Sequence, residues 1–365
     1  MICGIVKSML RIRRIKRLFS NLLTLFFTFL VLFIVFEVFL QITKYEDPFE
    51  NSVYRANPGE GFRLSDNPNL VYELVPNASF VEEGRGKLCV TNSFGFRDEE
   101  FGVEKNSDEF RIAVIGDSLV FGVNVDQNES FPEQLEVVLN SLNLPRKVKV
   151  LNFGVPGYDT IQEVETFKTK AMKFKPDLVI LAYTLNDVEG VVKARPLADE
   201  ERCGIAYLNI KIDCDTKEFL RKSKALKFVK YRVNAFIWYV KLGDYISNLY
   251  TDEAKYRDNV FVQLSEFSNL THSGLNSTPV LVVFPVLSAV SRDSYKYQYI
   301  HDNVTEDANG LGFLTIDLSA AYKGYSQREI QAVKGDYFHP SVFGHRLAAD
   351  FVTEKLINNK LIPLN

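Results

Sequence analysis

The tetrapeptide Gly116-Asp117-Ser118-Leu119 closes an apolar run, Ile112-Ala113-Val114-Ile115, and Asp336-Tyr337-Phe338-His339 lies far downstream. A serine hydroxyl is a weak nucleophile until a base takes its proton, and the base is dependable only when a third group holds its ring. Of the four histidines (His272, His301, His339, His345), only His339 has an aspartate three residues before it. The chemistry these residues suit is covalent acyl transfer, with Ser118 attacking, His339 carrying the proton and Asp336 orienting the imidazole.

Such residues must be brought together by a scaffold, and the chain alternates strands and helices from Arg111 onward, which predicts a parallel sheet. Strands are expected at Arg111–Gly116, Lys147–Phe153, Asp177–Tyr183, Pro279–Pro285 and Leu311–Leu318, and a closing helix at Phe343–Asn358. Their continuous apolar runs suit strands buried on both faces. Ser130-Phe131-Pro132-Glu133 and Thr160-Ile161-Gln162-Glu163 have the capping-box pattern that opens a helix. A serine placed just after the first strand would sit at the carboxyl edge of the sheet, where open α/β folds bind ligands. Between the third and fourth strands lies an insertion, about 188–277, far longer than an ordinary crossover. Its section Lys217 to Tyr250 reads as helical, with Lys222, Lys224, Lys227, Lys230 and Arg232 among Phe228, Val229, Phe236, Ile237 and Trp238. Amphipathicity of this kind usually marks a surface helix covering the sheet; a lid or a face touching anionic lipid is the sharper alternative.

The N-terminus is the second strong signal. Lys7, Arg11, Arg13, Arg14, Lys16 and Arg17 precede an apolar run, Leu22 to Leu40, whose one charge is Glu37. That length suffices to span a bilayer, and the basic flank predicts a cytoplasmic N-terminus. A cleavable signal would have a shorter apolar stretch followed by small residues. The expected layout is a basic tail at 1–17, an anchor at 18–43, a stem leading into the first strand at 44–110, and the catalytic domain at 111–365. Net charge is -3, so no nucleic-acid partner is expected. Neither a metal nor a cofactor is expected, since no Cys or His cluster has ligand spacing. Cys203 and Cys214 could form a disulfide outside the cytoplasm.

Taken together, these segments resemble the SGNH/GDSL hydrolase family over roughly Val90 to Ile357. The serine block resembles Gly116-Asp117-Ser118-Leu119, the glycine block Asn152-Phe153-Gly154, the asparagine block Thr184-Leu185-Asn186-Asp187, and the last block Asp336-Tyr337-Phe338-His339-Pro340. Thr184 stands where the family usually has glycine. The segment Thr91–Asp98 also resembles anchored or exported members. The resemblance implies a three-layer α/β/α fold, flavodoxin-like, around a mainly parallel five-stranded sheet. It also implies a Ser118–His339–Asp336 triad. The N–H groups of Ser118 and Gly154 and the Asn186 side chain would form the oxyanion hole.

Each piece has a plainer explanation when taken alone. Ser118 could cap a helix, Asp336 and His339 could form a surface turn, and Gly154 and Asn186 could be ordinary loop residues. Their joint occurrence in this order favours an esterase acting on carboxylic esters, O-acetyl groups on carbohydrate included. An O-acyltransferase acting on surface glycans or a lysophospholipase would share the first half-reaction, and an inactive glycan-binding scaffold is the alternative of another class. His345 is expected to pack or cap near the last helix, and Asp117 to organise its own turn.

Overall fold

The computed structural model describes residues 2–43, 61–81, 87–190, 204–205, 210–211, 222–226, 228–229, 232–233, 245–290, 293–334 and 336–364. Cys203 and Cys214 lie outside them. The chain forms two compact units, residues 1–50 with 202–236, and residues 51–201 with 237–365.

In the first unit a single helix, α1 (Ile2–Ile42), includes both the basic segment and the apolar run. Its portion Lys16–Ile42, whose most apolar 18-residue window has mean hydropathy 2.7, is long and apolar enough to cross a membrane. In the same unit β8 (Gly204–Ile205) pairs antiparallel with β9 (Ile210–Lys211).

The second unit is built on a five-stranded sheet. In chain order its strands are β5 (Glu109–Gly116), β6 (Lys147–Gly154), β7 (Leu178–Thr184), β10 (Val280–Phe284) and β11 (Leu314–Asp317). They lie side by side as β11-β10-β7-β5-β6, every pair parallel. All residues of β7 and β10 are buried, as continuous Val, Ile and Leu runs require when both sheet faces are covered. Alternate residues of β5 feed two cores. Ala113 and Ile115 join one with Val164, Phe267 and Val304, while Ile112 and Val114 join the other with Leu135, Ala348 and Val352. The helices Val262–Leu275 and Gln298–Gly310 therefore belong to one face, and α3 (Phe131–Asn140) and the closing helix Val342–Asn358 to the other.

Residues expected in a stem turn out to be core. Two short hairpins precede the sheet, β1 (Phe62–Leu64) with β2 (Tyr72–Leu74) and β3 (Ser79–Val81) with β4 (Leu88–Val90). Phe62, Leu74, Phe80 and Cys89 from these strands, with Phe96 and Phe101 beyond them, are buried in the same cluster as Ile115 and Phe153. The catalytic unit therefore starts well before Arg111.

The helix opened at Ser130 starts where expected but without its capping box, and the cap of the next helix lies one residue earlier than expected. The helix α4 (Thr160–Thr166) is capped by Asp159, which accepts from Ile161 and Gln162 N–H while the Gln162 side chain reaches back. Ser130 precedes α3 without a side-chain cap, and the reciprocal pair is Asp126 with Glu129. Asp159, whose backbone is extended, takes the cap of α4 in place of Thr160.

Candidate active site

Strand order reverses between β5 and β7, because β6 follows β5 on one side and β7 lies on the other. The crevice outside such a reversal is where ligands of open α/β sheets bind. Register aligns Gly116 with Gly154 and Phe284 with Thr184, so β5, β6, β7 and β10 end at one edge.

At that edge the chain leaves β5, turns at Asp117 and enters a one-turn helix, α2 (Ser118–Phe121). Asp117 caps it through a 2.9 Å bond from Leu119 N–H, which is the turn-organising role expected of it. Burial pushes the Asp117 carboxyl above its ordinary value, against the Leu119 hydrogen bond and the nearby His339. Ser118 Oγ has two acceptors within reach, His339 Nε2 at 2.9 Å and Asp117 Oδ2 at 3.4 Å. The imidazole is the shorter and stronger of the two.

His339 is buried and its Nδ1 lies 2.9 Å from Asp336 Oδ2 and 3.0 Å from Oδ1. Since Nδ1 faces a carboxylate it carries the proton, which leaves Nε2 free to accept from Ser118. Asp336 is held by further donors, namely Phe338 N–H and His339 N–H at 3.0 Å each and Asn124 Nδ2 at 2.8 Å. Burial alone would raise this carboxyl, but His339 and the two backbone N–H donors hold it below its ordinary value. Asn124 escaped sequence reasoning. Its φ of 76° is the left-handed region that asparagine tolerates, and a turn asparagine two residues beyond Gly122 is a weak signal for a partner 212 residues away.

The three groups that could receive an oxyanion differ. Asn186 follows β7 at the start of a short turn of helix and its side chain is half-buried, with no hydrogen-bond partner among the described residues. Thr184, in place of the usual glycine, does not crowd it. Its N–H (2.6 Å) and hydroxyl (2.9 Å) both donate to Asp187, so the larger residue anchors a buried carboxyl. Gly154 departs from expectation. Its N–H already donates to Asn152 Oδ1 at 2.9 Å, while Asn152 Nδ2 donates to Val120 O at 3.0 Å. A Cβ at Gly154 would lie 2.2 Å from Phe121 N and 2.7 Å from Val120 C. Glycine is needed there so that β6 can touch the backbone of α2, and its amide is not available to a substrate. The next glycine, Gly157, has φ +80°, is exposed, and its N–H is without a partner among the described residues. Its turn is fixed by Tyr72, whose hydroxyl donates to Pro156 O at 2.7 Å.

The segment Thr91–Asp98 supports the same turn from behind. Arg97 is fully buried and donates to Phe121 O (3.2 Å), Gly122 O (2.6 Å) and Val125 O (2.9 Å), closing the carbonyl end of α2. Asp98 accepts from Asn152 N–H at 2.9 Å. His345 is buried in the closing helix and pushed down to about 3 by burial, so it is a neutral packing residue. Glu163, freed from the expected capping role, is buried with neither oxygen bonded among the described residues. Burial first, then Asp187, keeps its carboxyl well above the ordinary range. Among the described residues no three His, Cys, Asp or Glu side chains are grouped so as to hold a metal ion.

Residues 114–347, more than half the chain, match the model of the GDSL-like lipase/acylhydrolase family. No curated protein matches the chain in sequence. Solved structures with a similar outline include an acetylxylan esterase from Geobacillus stearothermophilus (14% identity, 68% of this chain and 94% of that one, TM-score 0.43). They also include a lipase/acylhydrolase from Enterococcus faecalis (17% identity, 68% and 96%, TM-score 0.41). A third is an alpha/beta hydrolase enzyme from the metagenome of Lake Arreo (14% identity, 69% and 96%, TM-score 0.43). Membership rests on the family match and not on these distant likenesses: the chain belongs to the GDSL-like lipase/acylhydrolase family, and it is an ester-bond hydrolase.

Proposed function

We propose that the chain is a serine esterase anchored by α1 with its N-terminus in the cytoplasm, and that Ser118, His339 and Asp336 are its catalytic triad. One observation carries the reading. An unbroken hydrogen-bonded line runs from Ser118 Oγ to His339 Nε2 at 2.9 Å and from His339 Nδ1 to Asp336 Oδ2 at 2.9 Å. As a substrate carbonyl is attacked by Ser118 Oγ, the hydroxyl proton passes to Nε2, and Asp336 stabilises the imidazolium. Collapse of the tetrahedral intermediate breaks the ester C–O bond, and the leaving alkoxide takes the proton from Nε2. Water then attacks the acyl-enzyme, gives its proton to Nε2, and releases the acid with Ser118 restored. Oxyanion donors in this reading are the Ser118 N–H, the Asn186 amide and the Gly157 N–H, with Gly154 relieved of that role. Such donors typically lower the barrier by roughly 2.7–4 kcal/mol each.

The basic flank of α1 supports the orientation, which puts the catalytic unit beside extracytoplasmic polymers. O-acetylated carbohydrate is therefore the first substrate class. The test is a panel of O-acetylated oligosaccharides, lysophospholipids and short p-nitrophenyl esters, scored by acid release. Acyl transfer would appear as mass added to a carbohydrate acceptor. Failure of the wild-type protein to turn over any ester would overturn the reading in favour of a binding scaffold. A reporter fused after Asn365 should be active only outside the cytoplasm, and cytoplasmic activity would refute the orientation.

A further inference from the structure

Glu37 is the only acid in the apolar run Leu22–Leu40. An ionisable side chain inside a membrane span is costly unless paired, and so calls for a partner. The unit formed by residues 1–50 and 202–236 supplies one. The Glu37 carboxylate accepts from the Ser223 hydroxyl at 2.8 Å, Ala225 N–H at 2.7 Å and Lys224 N–H at 3.1 Å, with Gln41 Nε2 at 2.7 Å. Ser223 Oγ in turn accepts from Leu226 N–H at 3.2 Å, so the carboxylate and the serine together cap a helical turn that starts at Lys224. Orphan N–H groups and the positive end of a helix both favour an anion there.

The contact continues beyond the cap. Phe228 meets Phe36 edge-on at 5.3 Å and 82°, and the Arg232 guanidinium lies 4.9 Å from the Phe228 ring centre. Leu40 and Ala225 are buried, whereas Leu18 to Phe39 are otherwise largely exposed apolar surface. On the docked segment Val229 and Val233 are 50% and 49% exposed. Lys222 and Arg232 are exposed as well. Glu37 lies three residues inside the end of the apolar run, about 4.5 Å at the helical rise of about 1.5 Å per residue, which is headgroup depth. A segment capped by a side chain at that depth must meet the lipid surface. Its mixture of exposed valines and cations is what an interfacial helix carries.

We propose that residues 222–226, Phe228, Val229, Arg232 and Val233 lie in the lipid–water interface, docked on α1 through Glu37, with Val229 and Val233 against acyl chains and Lys222, Lys224 and Arg232 toward anionic headgroups. This rests on the reading of α1 as an anchor. Since the segment belongs to the insertion between β7 and β10, the catalytic unit is joined to the bilayer at two separate places in its chain.

The experiment uses the full chain in vesicles of phosphatidylcholine and phosphatidylglycerol, with a fluorescent amino acid introduced singly at Val229, Val233, Val31 or Val137. Lipids carrying a nitroxide near the headgroup should quench the Val229 and Val233 probes at least about threefold more than the probe at Val137, an exposed residue of the catalytic unit. Deep acyl-chain nitroxides should quench the Val31 probe. Glu37→Ala, or Ser223→Ala if the first variant is poorly produced, should return the Val229 and Val233 probes to the Val137 level and leave Val31 unchanged. Omitting phosphatidylglycerol should weaken quenching at Val233. Probes at Val229 and Val233 that match Val137 in the wild type, while Val31 is quenched, overturn this inference and leave the anchor intact. Loss of quenching at Val31 as well overturns the anchor reading itself. Quenching that survives in both variants refutes docking through Glu37, and indifference to phosphatidylglycerol refutes the anionic contact.

Discussion

Asn124 offers the sharpest test of how the proposed base is supported, because its amide reaches the carboxylate of Asp336. With its 2.8 Å bond from Nδ2 to Asp336 Oδ2, Asn124 is one of four donors on that carboxylate among the described residues, the others being Phe338 N–H, His339 N–H and His339 Nδ1. A hydrogen bond to a charged group contributes about 1.5–3 kcal/mol. If Asp336 stabilises the imidazolium that forms as Ser118 attacks, losing this donor weakens that stabilisation in the transition state. At about 1.4 kcal/mol per decade, kcat/KM should fall roughly ten- to a hundredfold. Asn124→Gly is the right variant, because at φ 76° glycine removes the amide without backbone strain. Asn124→Ala should lose the same rate and in addition about 1 kcal/mol of stability from the left-handed backbone. The assay is p-nitrophenyl acetate hydrolysis with active sites titrated by a serine-directed phosphonate, so that folded fraction is divided out. In an Asp336→Asn background Asn124→Gly should cost little, since the charge it served has gone. Wild-type turnover per titrated site in Asn124→Gly would refute the reasoning.

Gly154→Ala should cost most of the activity and much of the stability, because its Cβ would overlap Phe121 N at 2.2 Å; thermal melting and kcat together check this. Asn186→Ala should lower kcat by roughly a hundredfold or more with the melting temperature little changed, as expected for an oxyanion donor. An unchanged kcat would remove Asn186 from the site. The pH dependence of stability should carry the mark of Asp98. Burial pushes its carboxyl from 3.8 up to about 8, against the Asn152 and Glu99 N–H bonds and Lys149. The native state then keeps a proton that the unfolded chain releases, so its contribution is favourable below pH 4 and is lost as pH rises toward 8. Asp98→Asn should flatten the fall of the urea midpoint across that range, and an unaltered slope would contradict the buried assignment.

Much of this site could be read in the chain because its residues sit where strands end. Gly116-Asp117-Ser118, Asn152-Phe153-Gly154 and Thr184-Leu185-Asn186-Asp187 each close a run of buried apolar residues, and such runs are visible as composition. The hairpins at Phe62–Leu74 and Ser79–Val90 were not visible, since strands of three residues are too short to show a period. Their contribution is a handful of core side chains, which a reading by composition assigns to a stem. The cap of α4 lies one residue before the expected one because Asp159 and Thr160 are both acceptable caps, and backbone conformation decides between them. The engagement of Gly154 N–H by Asn152 Oδ1 leaves no trace in sequence, because it depends on a side chain folding back along its own strand. Glu37 was visible as an oddity in an apolar run, but its partner lies 186 residues away.

The proposed function requires that Ser118 be acylated with His339 as its base. A serine-directed phosphonate followed by peptide mass spectrometry tests it most directly. The prediction is one adduct, on the peptide containing Ser118, absent in Ser118→Ala and formed far more slowly in His339→Ala. An adduct on another residue, or labelling that persists in Ser118→Ala, would contradict it.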